Sequence, residues 1–281
     1  MKLFTGRKYC NYFSSLKSAL PHSAVLYKAV LCRCFQLGTA AFILSLLFLN
    51  NVCAENISKD FHKAARRYRF KIRQDAKFPA NINGVPLPAK DAEKELVNFF
   101  DALNVLGEGF VKKSGLNQVV ICRDLKLNGM ACAGVAYGDC MYLAQGATAK
   151  VVFHEIFHIF DPKRKNKDWT DLNNSKFRYW GINYPDRPQS EDKRREISQY
   201  YKNVGYKFAA DFVSNYAQTN EVEDRAETFA AMLDEGEKFR LRVQKSRVLY
   251  NKMHFIISMT GRRYKLGKKF WQKTLGSWAF E

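Results

Sequence analysis

The segment KVVFHEIFHIFDPK constrains this chain more than any other, because it sets two histidines four residues apart within an apolar run. Residues at i and i+4 lie on one face of an α-helix, so His154 and His158 can direct both imidazole rings toward one point. The valine, isoleucine and phenylalanine residues around them predict a buried helix that begins near Thr148. Burying two histidines and Glu155 without polar partners would be costly, so this helix requires partners for them.

Two interpretations of this segment are open. One is a core helix whose histidines are satisfied by hydrogen bonds. The other is a metal site, because zinc accepts imidazole nitrogen and His-Glu-x-x-His is the pattern in which the glutamate acts as a general base. A metal would remove the burial problem, which favours the second interpretation. Asp161, three residues after His158, either orients a ligand or ends the helix.

A third metal ligand is expected downstream, in the segment NEVEDRAETFAAML. This segment predicts a helix with Thr219 or Asn220 as its N-cap. Glu223 and Glu227 stand four residues apart and share one helical face, so one carboxylate can bind a metal while the other supports a ligand histidine. The alternative is that acidic residues of the first turn only favour the helix dipole, which accounts for Glu221 and Asp224, in part for Glu223, and less well for Glu227.

The rest of the chain predicts an α+β domain, mostly helical, with a small sheet. Apolar spacing predicts helices over Ser58–Asp75, from Asp91 to near Gly115, and over about 190–202, 221–234 and 237–260. Short strands are predicted at Gln118–Cys122 and within Ala133–Ala144, the latter at a sheet edge. The segment after 260 is basic and aromatic, without a clear period.

The N-terminal 54 residues carry six of the 46 basic residues and none of the 27 acidic ones. They end in an apolar run, Leu37–Leu49, followed by small residues at Val52 and Ala54, which predicts a signal peptide cleaved after Ala54. The exported protein, periplasmic or secreted, would then be a single domain of residues 55–281 with a net charge of +13. We divide it into an N-terminal helical part (55–117), a core (118–260) and a basic tail (261–281).

Three cysteines lie beyond this leader. Export permits a disulfide, and Cys132 and Cys140 flank an apparent turn, which favours that pair over one involving Cys122. The alternative is three buried thiols. Their spacing matches no Cys-x-x-Cys metal pattern.

Three blocks in order, FHEIFHIFD, DWTDLN with FRYWG, and FVSNYAQTNEVEDRAETFA, resemble bacterial zinc-binding metallopeptidases of the glutamate-zincin type. The last block is also similar to the catalytic domain of anthrax lethal factor, and the similarity runs on through FRLRVQKS. The resemblance covers roughly Val119 to Ile257 and implies a zincin-like fold, with a small mixed sheet beside the helix of the two histidines.

The resemblance also implies a role for each site residue. One zinc ion would be bound by His154, His158 and Glu223. Glu155 would be the general base, and Glu227 a supporting carboxylate behind the ligands. Tyr216 would stabilise the oxyanion.

The sequence therefore predicts an exported, monomeric zinc metallopeptidase that hydrolyses peptide or protein substrates. The strand around Val135 to Leu143 would pair with an extended peptide, unless it is a plain core strand. The alternative function is a basic protein that binds anionic polymers or membrane surfaces and has a structural or vestigial zinc site. Two basic stretches with interleaved aromatic residues suggest it, 66–73 and 262–271, although a solvated surface explains them more simply. No nucleic-acid motif is present, so no specific nucleic-acid partner is expected.

Overall fold

The computed structural model of the chain describes residues 56–75, 77–161, 167–179, 206–261 and 264–280. These residues form a mostly helical α+β fold. The main helices are α1 (Lys59–Tyr68), α2 (Ala89–Leu106), α3 (Glu108–Ser114), α4 (Ala149–Phe160), α5 (Glu221–Asp234), α6 (Glu237–Lys245), α7 (Arg247–Thr260) and α8 (Lys268–Leu275). Short helical turns lie at Lys167–Thr170, Tyr206–Phe208, Ala209–Asp211, Tyr216–Gln218 and Ser277–Phe280. The predicted signal peptide and the helix predicted at about 190–202 lie outside the described residues.

One small mixed sheet accompanies the helices. Its strands are β1 (Lys71–Ile72), β2 (Ile82–Pro86), β3 (Gln118–Leu127), β4 (Met130–Ala131), β5 (Gly134–Tyr137) and β6 (Cys140–Ala144). The order is β1-β3-β6-β5, with β3 parallel to both β1 and β6, and with β5 antiparallel to β6. β2 and β4 are antiparallel to β3 along its second half.

The edge strand predicted around Val135 is confirmed only in part. Among the described strands β5 pairs with β6 alone and forms the edge, whereas β6 lies inside the sheet between β3 and β5. The bend that separates them is the tight turn at Gly138, whose φ of 63° suits a residue without a side chain.

The two faces of the sheet contribute to two cores. Successive side chains of a strand point to opposite faces. On β3, Val119 and Ile121 accordingly join the main core beneath the helices, whereas Val120 and Cys122 join a smaller cluster on the opposite face. The main core is the larger because most of the helices pack on that face.

Three helix predictions need correction. The helix predicted over Ser58–Asp75 ends at Tyr68, because Arg69 adopts a left-handed φ of 68° and the chain continues into β1. The helix predicted from Asp91 begins at Ala89 and is interrupted at Gly107, where φ is 77°. The single helix predicted over 237–260 is two helices, α6 and α7, separated by Ser246, whose hydroxyl accepts the N–H of Leu249.

The aromatic residues interleaved with basic ones are core residues. Tyr68 and Phe70 are 6% and 2% exposed. Trp271 on α8 is fully buried and donates its indole N–H to the Thr260 hydroxyl at 3.2 Å. The rings of Tyr68, Phe70 and Trp271 are therefore not available at the surface for stacking, which removes one feature of the predicted anion-binding faces. Arg262 and Arg263 lie outside the described residues.

The favoured disulfide between Cys132 and Cys140 is wrong, because all three described cysteines are free thiols. Cys140 is buried on β6 with the smaller core, whereas Cys132 precedes β5 and directs its thiol toward the Leu125 carbonyl, 3.8 Å away. Burial raises the pKa of the Cys122 thiol to about 12. Within the described part of the chain, no helix has the length and apolar character needed to span a membrane.

Candidate metal centre

Helix α4 carries the two histidines and begins as predicted, with Thr148 as its N-cap. It packs against β5, α2 and α5. Val152, Phe153, Ile156 and Phe157 are buried, which explains the apolar run around the histidines. On the same helix, His154 and His158 direct their Nε2 atoms toward Glu223 of α5.

Helix α5 supplies the carboxylates, and the N-cap at Asn220 is confirmed. The Asn220 side-chain oxygen accepts the backbone N–H groups of Val222 and Glu223, both at 2.9 Å. The cap fixes the first turn and with it the start of the Glu223 side chain. Small buried residues on α5, Ala226 and Ala230, let the two helices approach closely, and the Phe229 ring packs 4.6 Å from that of Phe157.

Three ligand-type atoms converge between these helices. Nε2 of His154 and Nε2 of His158 are 2.8 Å apart, and Oε2 of Glu223 lies 3.1 Å from each of them. They are the one His, Cys, Asp and Glu cluster of metal-binding geometry among the described residues. His154 and Glu223 are each 8% exposed, so this triangle is largely shielded from water.

The triangle fits a tetrahedral zinc ion. Zinc bonds of about 2.0–2.1 Å in tetrahedral geometry place neighbouring ligand atoms about 3.3 Å apart, close to the distances found here. Two imidazoles and one carboxylate are also the donor set of catalytic zinc sites that keep a fourth position open. Hydrogen bonds alone explain this triangle less well. Each Nε2 carries at most one proton, so the two ring nitrogens cannot satisfy both the contact between them and their two contacts with the Glu223 carboxylate.

Glu227 lies behind the first histidine. Its Oε1 is 2.9 Å from Nδ1 of His154, within ion-pair distance, although the ring N–H is not aligned for a linear hydrogen bond. The Ser214 hydroxyl also hydrogen-bonds Glu227. A carboxylate at Nδ1 favours the tautomer that leaves Nε2 free to bind a metal.

The charges of the cluster support one another. Burial disfavours the protonated form of His154, but Glu223 and Glu227 outweigh it and raise the pKa of the imidazole to about 10. Burial also favours neutral Glu223, yet the adjacent His158 and His154 hold the pKa of that carboxyl well below its usual range. Glu223 is therefore an anion at neutral pH, as a metal ligand must be, whereas His154 holds a proton that a bound zinc ion would displace.

Glu155 lies on the same helix, between the histidines and β5. It is 6% exposed, and burial raises the pKa of its carboxyl above the usual range, opposed by His154 and His158. The backbone N–H of Ala136 donates to it. Gly134 also faces this carboxyl so closely that a Cβ there would lie 2.7 Å from Cγ of Glu155 and 2.9 Å from its Oε1.

Tyr216 borders the cluster from the segment that precedes α5. It starts a short 3₁₀ turn, its ring centroid lies 6.0 Å from that of His154, and 40% of the residue is exposed. The phenol is therefore beside the histidines and open to solvent, where a bound molecule could reach it.

Asp161 ends α4 and joins it to α5. Its Oδ2 accepts from Nε of Arg225 at 2.7 Å, in a pair that is almost completely buried. Of the two roles predicted for Asp161, the contact found here fits the end of the helix, which it fixes against the helix that carries Glu223.

Asp224 is not a simple first-turn dipole residue, which corrects the sequence interpretation. It is fully buried, and its Oδ2 accepts from Lys252 at 2.8 Å, Trp169 at 3.0 Å and Tyr179 at 2.7 Å. Lys252, also fully buried, lies over the Phe212 ring. The spacing of residues within one segment could not predict this network, because its members lie on segments far apart in sequence. Asp224 is thereby held away from a role as metal ligand.

Comparisons with known proteins add one distant similarity. No protein-family model matches the chain, and a search of curated proteins finds no match. Among solved structures, one from Bacteroides caccae, described as a "putative zinc-binding metallo-peptidase", covers 80% of this chain and 97% of its own, at 14% identity and a TM-score of 0.45. A similarity this distant establishes neither a family nor an activity, so the functional interpretation rests on the residues of the site.

Proposed function

We propose that this chain is a zinc-dependent peptidase in which His154, His158 and Glu223 hold one zinc ion. The observation that carries the proposal is the convergence of their three ligand atoms within 3.1 Å of one another, beside the buried carboxyl of Glu155. The basic, apolar N-terminal 54 residues would direct export to the periplasm or the medium.

Glu155 would move the proton. A zinc ion in this site would polarise a substrate carbonyl and acidify a water molecule. The Glu155 carboxylate would accept a proton from water and pass it to the departing amine. Its raised pKa suits this exchange, because a base whose pKa lies nearer the working pH also returns its proton readily. The N–H of Ala136 fixes the carboxyl in place.

Tyr216 and Glu227 would have supporting roles. The exposed phenol of Tyr216 would donate a hydrogen bond to the substrate oxygen as negative charge develops on it. Glu227 would hold the His154 ring in the orientation that presents Nε2.

Strand β5 would hold the substrate. An extended peptide can add to an open sheet edge through backbone hydrogen bonds. The contact between Glu155 and the Ala136 N–H places the carboxyl at this strand, so a peptide lying along it would pass the proposed base.

Replacing Gly134 by alanine tests how closely β5 must approach Glu155. The added methyl would overlap the Glu155 side chain and also meet Val151 Cγ1 at 2.8 Å, so either the strand or the carboxyl must shift. We expect hydrolysis to fall by about 10²-fold, the cost of a displacement of about 1 Å, while zinc stays bound. Gly267→Ala is the matched control, since no atom lies within 4 Å of a Cβ there. Equal rates for both variants would show that the approach is irrelevant to catalysis.

The proposal is tested by incubating the purified protein with a mixture of unrelated peptides and identifying products by mass spectrometry. Cleavage at internal peptide bonds is expected, lost after treatment with a chelator and restored by one equivalent of zinc. Cleavage that survives chelation would contradict a zinc mechanism, and intact peptides in the zinc-loaded sample would contradict a peptidase.

A further inference from the structure

A cavity lies near the metal centre, and none of the proposed metal ligands lines it. It has a volume of about 500 Å³ and is lined by Ala209, Ala210 and residues 212–215 together with Arg242 and Lys245 of α6. We call it the basic pocket. Asn215 on its wall immediately precedes Tyr216, and Ser214 hydrogen-bonds Glu227. One carboxylate therefore separates the pocket wall from His154.

The charge of the basic pocket is positive. Arg242 and Lys245 are the ionisable side chains among its described lining residues, and no carboxylate lines it. Asp211, the acidic residue of this segment, does not line the pocket, and its Oδ1 accepts the Ser246 hydroxyl at 2.6 Å. Lys245 is exposed and forms no ion pair with any other described residue.

Arg242 is held in place and only partly neutralised. Its guanidinium donates to the Val213 carbonyl and lies 3.6 Å from Oε2 of Glu235. Glu235 also binds Lys150 at 2.8 Å through its other oxygen, so one carboxylate serves two cations. A guanidinium that is held in place and only partly neutralised can bind a carboxylate in bidentate fashion, because both groups are planar.

The polar groups of the pocket add hydrogen-bond capacity without adding negative charge. Asn215 carries an amide and Ser214 a hydroxyl, beside the apolar residues Ala209, Ala210, Phe212 and Val213. Arg242 is the less exposed of the two cations, so its charge is screened less by water than that of Lys245.

We propose that the basic pocket binds a carboxylate of the substrate, as an acidic side chain or as a free C-terminus. The proposal rests on the proposed function only in taking the substrate to be a peptide. It names a substrate class: peptides with a carboxylate placed a short distance from the bond that is cut.

Cleavage specificity gives the first test. In a peptide library, glutamate replaces glutamine at each position in turn. Comparison of the cleavage rates identifies any position at which a carboxylate increases kcat/KM. The best sequence is then made with a free or an amidated C-terminus. We expect one carboxylate to raise kcat/KM about tenfold, which corresponds to about 1.4 kcal/mol. A response to glutamate over glutamine identifies an acidic side chain as the bound group, and a response to the free over the amidated peptide identifies the C-terminus.

Charge reversal at the pocket gives the second test. Lys245→Glu is expected to abolish the preference, because it places an anion in the pocket without disturbing a described ion pair. Lys238→Glu is the matched control, an exposed lysine on the same helix that does not line the pocket. Equal loss of preference in both variants would overturn the proposal in favour of a general effect of protein charge.

Binding without turnover separates this proposal from the proposed function. Acetyl-glutamate methylamide and acetyl-alanine are titrated against the uncharged glutamine and amide counterparts, with NMR signals of Ser214, Asn215 and Arg242 as the readout. Tighter binding of either acid, lost in Lys245→Glu, supports the pocket even if no peptide is cleaved. Equal binding of acid and neutral probes overturns it even if peptides are cleaved.

Discussion

The Glu155→Gln variant is expected to lose peptide hydrolysis by about 10²- to 10⁴-fold while binding zinc as the wild type does. Glutamine has nearly the same shape as glutamate but cannot accept a proton from water at neutral pH. Its amide oxygen can still accept the Ala136 N–H, so the variant side chain keeps the contact that Glu155 makes with β5. Rates are compared on one peptide, with zinc content measured on the same samples.

Glu237→Gln provides the control for this experiment, because Glu237 is exposed on α6 and distant in sequence from the cluster. It should cleave at the wild-type rate. If Glu155→Gln retains more than about a tenth of the wild-type rate with its zinc in place, Glu155 is not the base.

The Glu223→Ala variant is expected to lose stoichiometric zinc. It removes the carboxylate that lies 3.1 Å from both ring nitrogens and leaves two protein donors, fewer than the three that catalytic zinc sites use. Glu227→Ala should weaken zinc binding less, by about 10- to 100-fold, because it removes only the group that orients His154. Competition with a zinc chelator of known affinity measures both variants on one scale.

The order of the two losses tests the assignment. If Glu223→Ala holds zinc as tightly as the wild type and Glu227→Ala does not, Glu227 is the third ligand. Circular dichroism of the zinc-free forms separates loss of a ligand from loss of the fold. Asp224 is not an equivalent candidate, because its Oδ2 already accepts from Lys252, Trp169 and Tyr179.

The site was predictable where its chemistry is local in sequence. The spacing of His154 and His158 places both rings on one face of α4, and the same rule pairs Glu223 with Glu227 on α5. The sequence left Thr219 and Asn220 as candidates for the N-cap of α5, and the structure has Asn220 in that position. The choice of Glu223 over Glu227 as the third ligand, and the place of Tyr216 near the metal, came from the resemblance to zincins and not from spacing.

Contacts between distant segments were not predictable. Gly134 looks like any strand glycine until β5 is placed against Glu155. In the sequence, Asp224 resembles a residue that favours the helix dipole, because its partner Lys252 lies on α7, far along the chain. The long helix predicted over Ser58–Asp75 failed for a related reason: charged residues suited an exposed helix, but Phe70 and Ile72 are taken into the core by the strand pairing of β1 with β3.

The central claim is most directly tested by the zinc content of the purified wild-type protein, measured by elemental mass spectrometry after dialysis against metal-free buffer. The arrangement of His154, His158 and Glu223 predicts one zinc ion per chain, absent from a His154→Ala variant. A wild-type protein that retains no zinc, and takes up none when zinc is supplied, would contradict the metal centre and the peptidase built upon it.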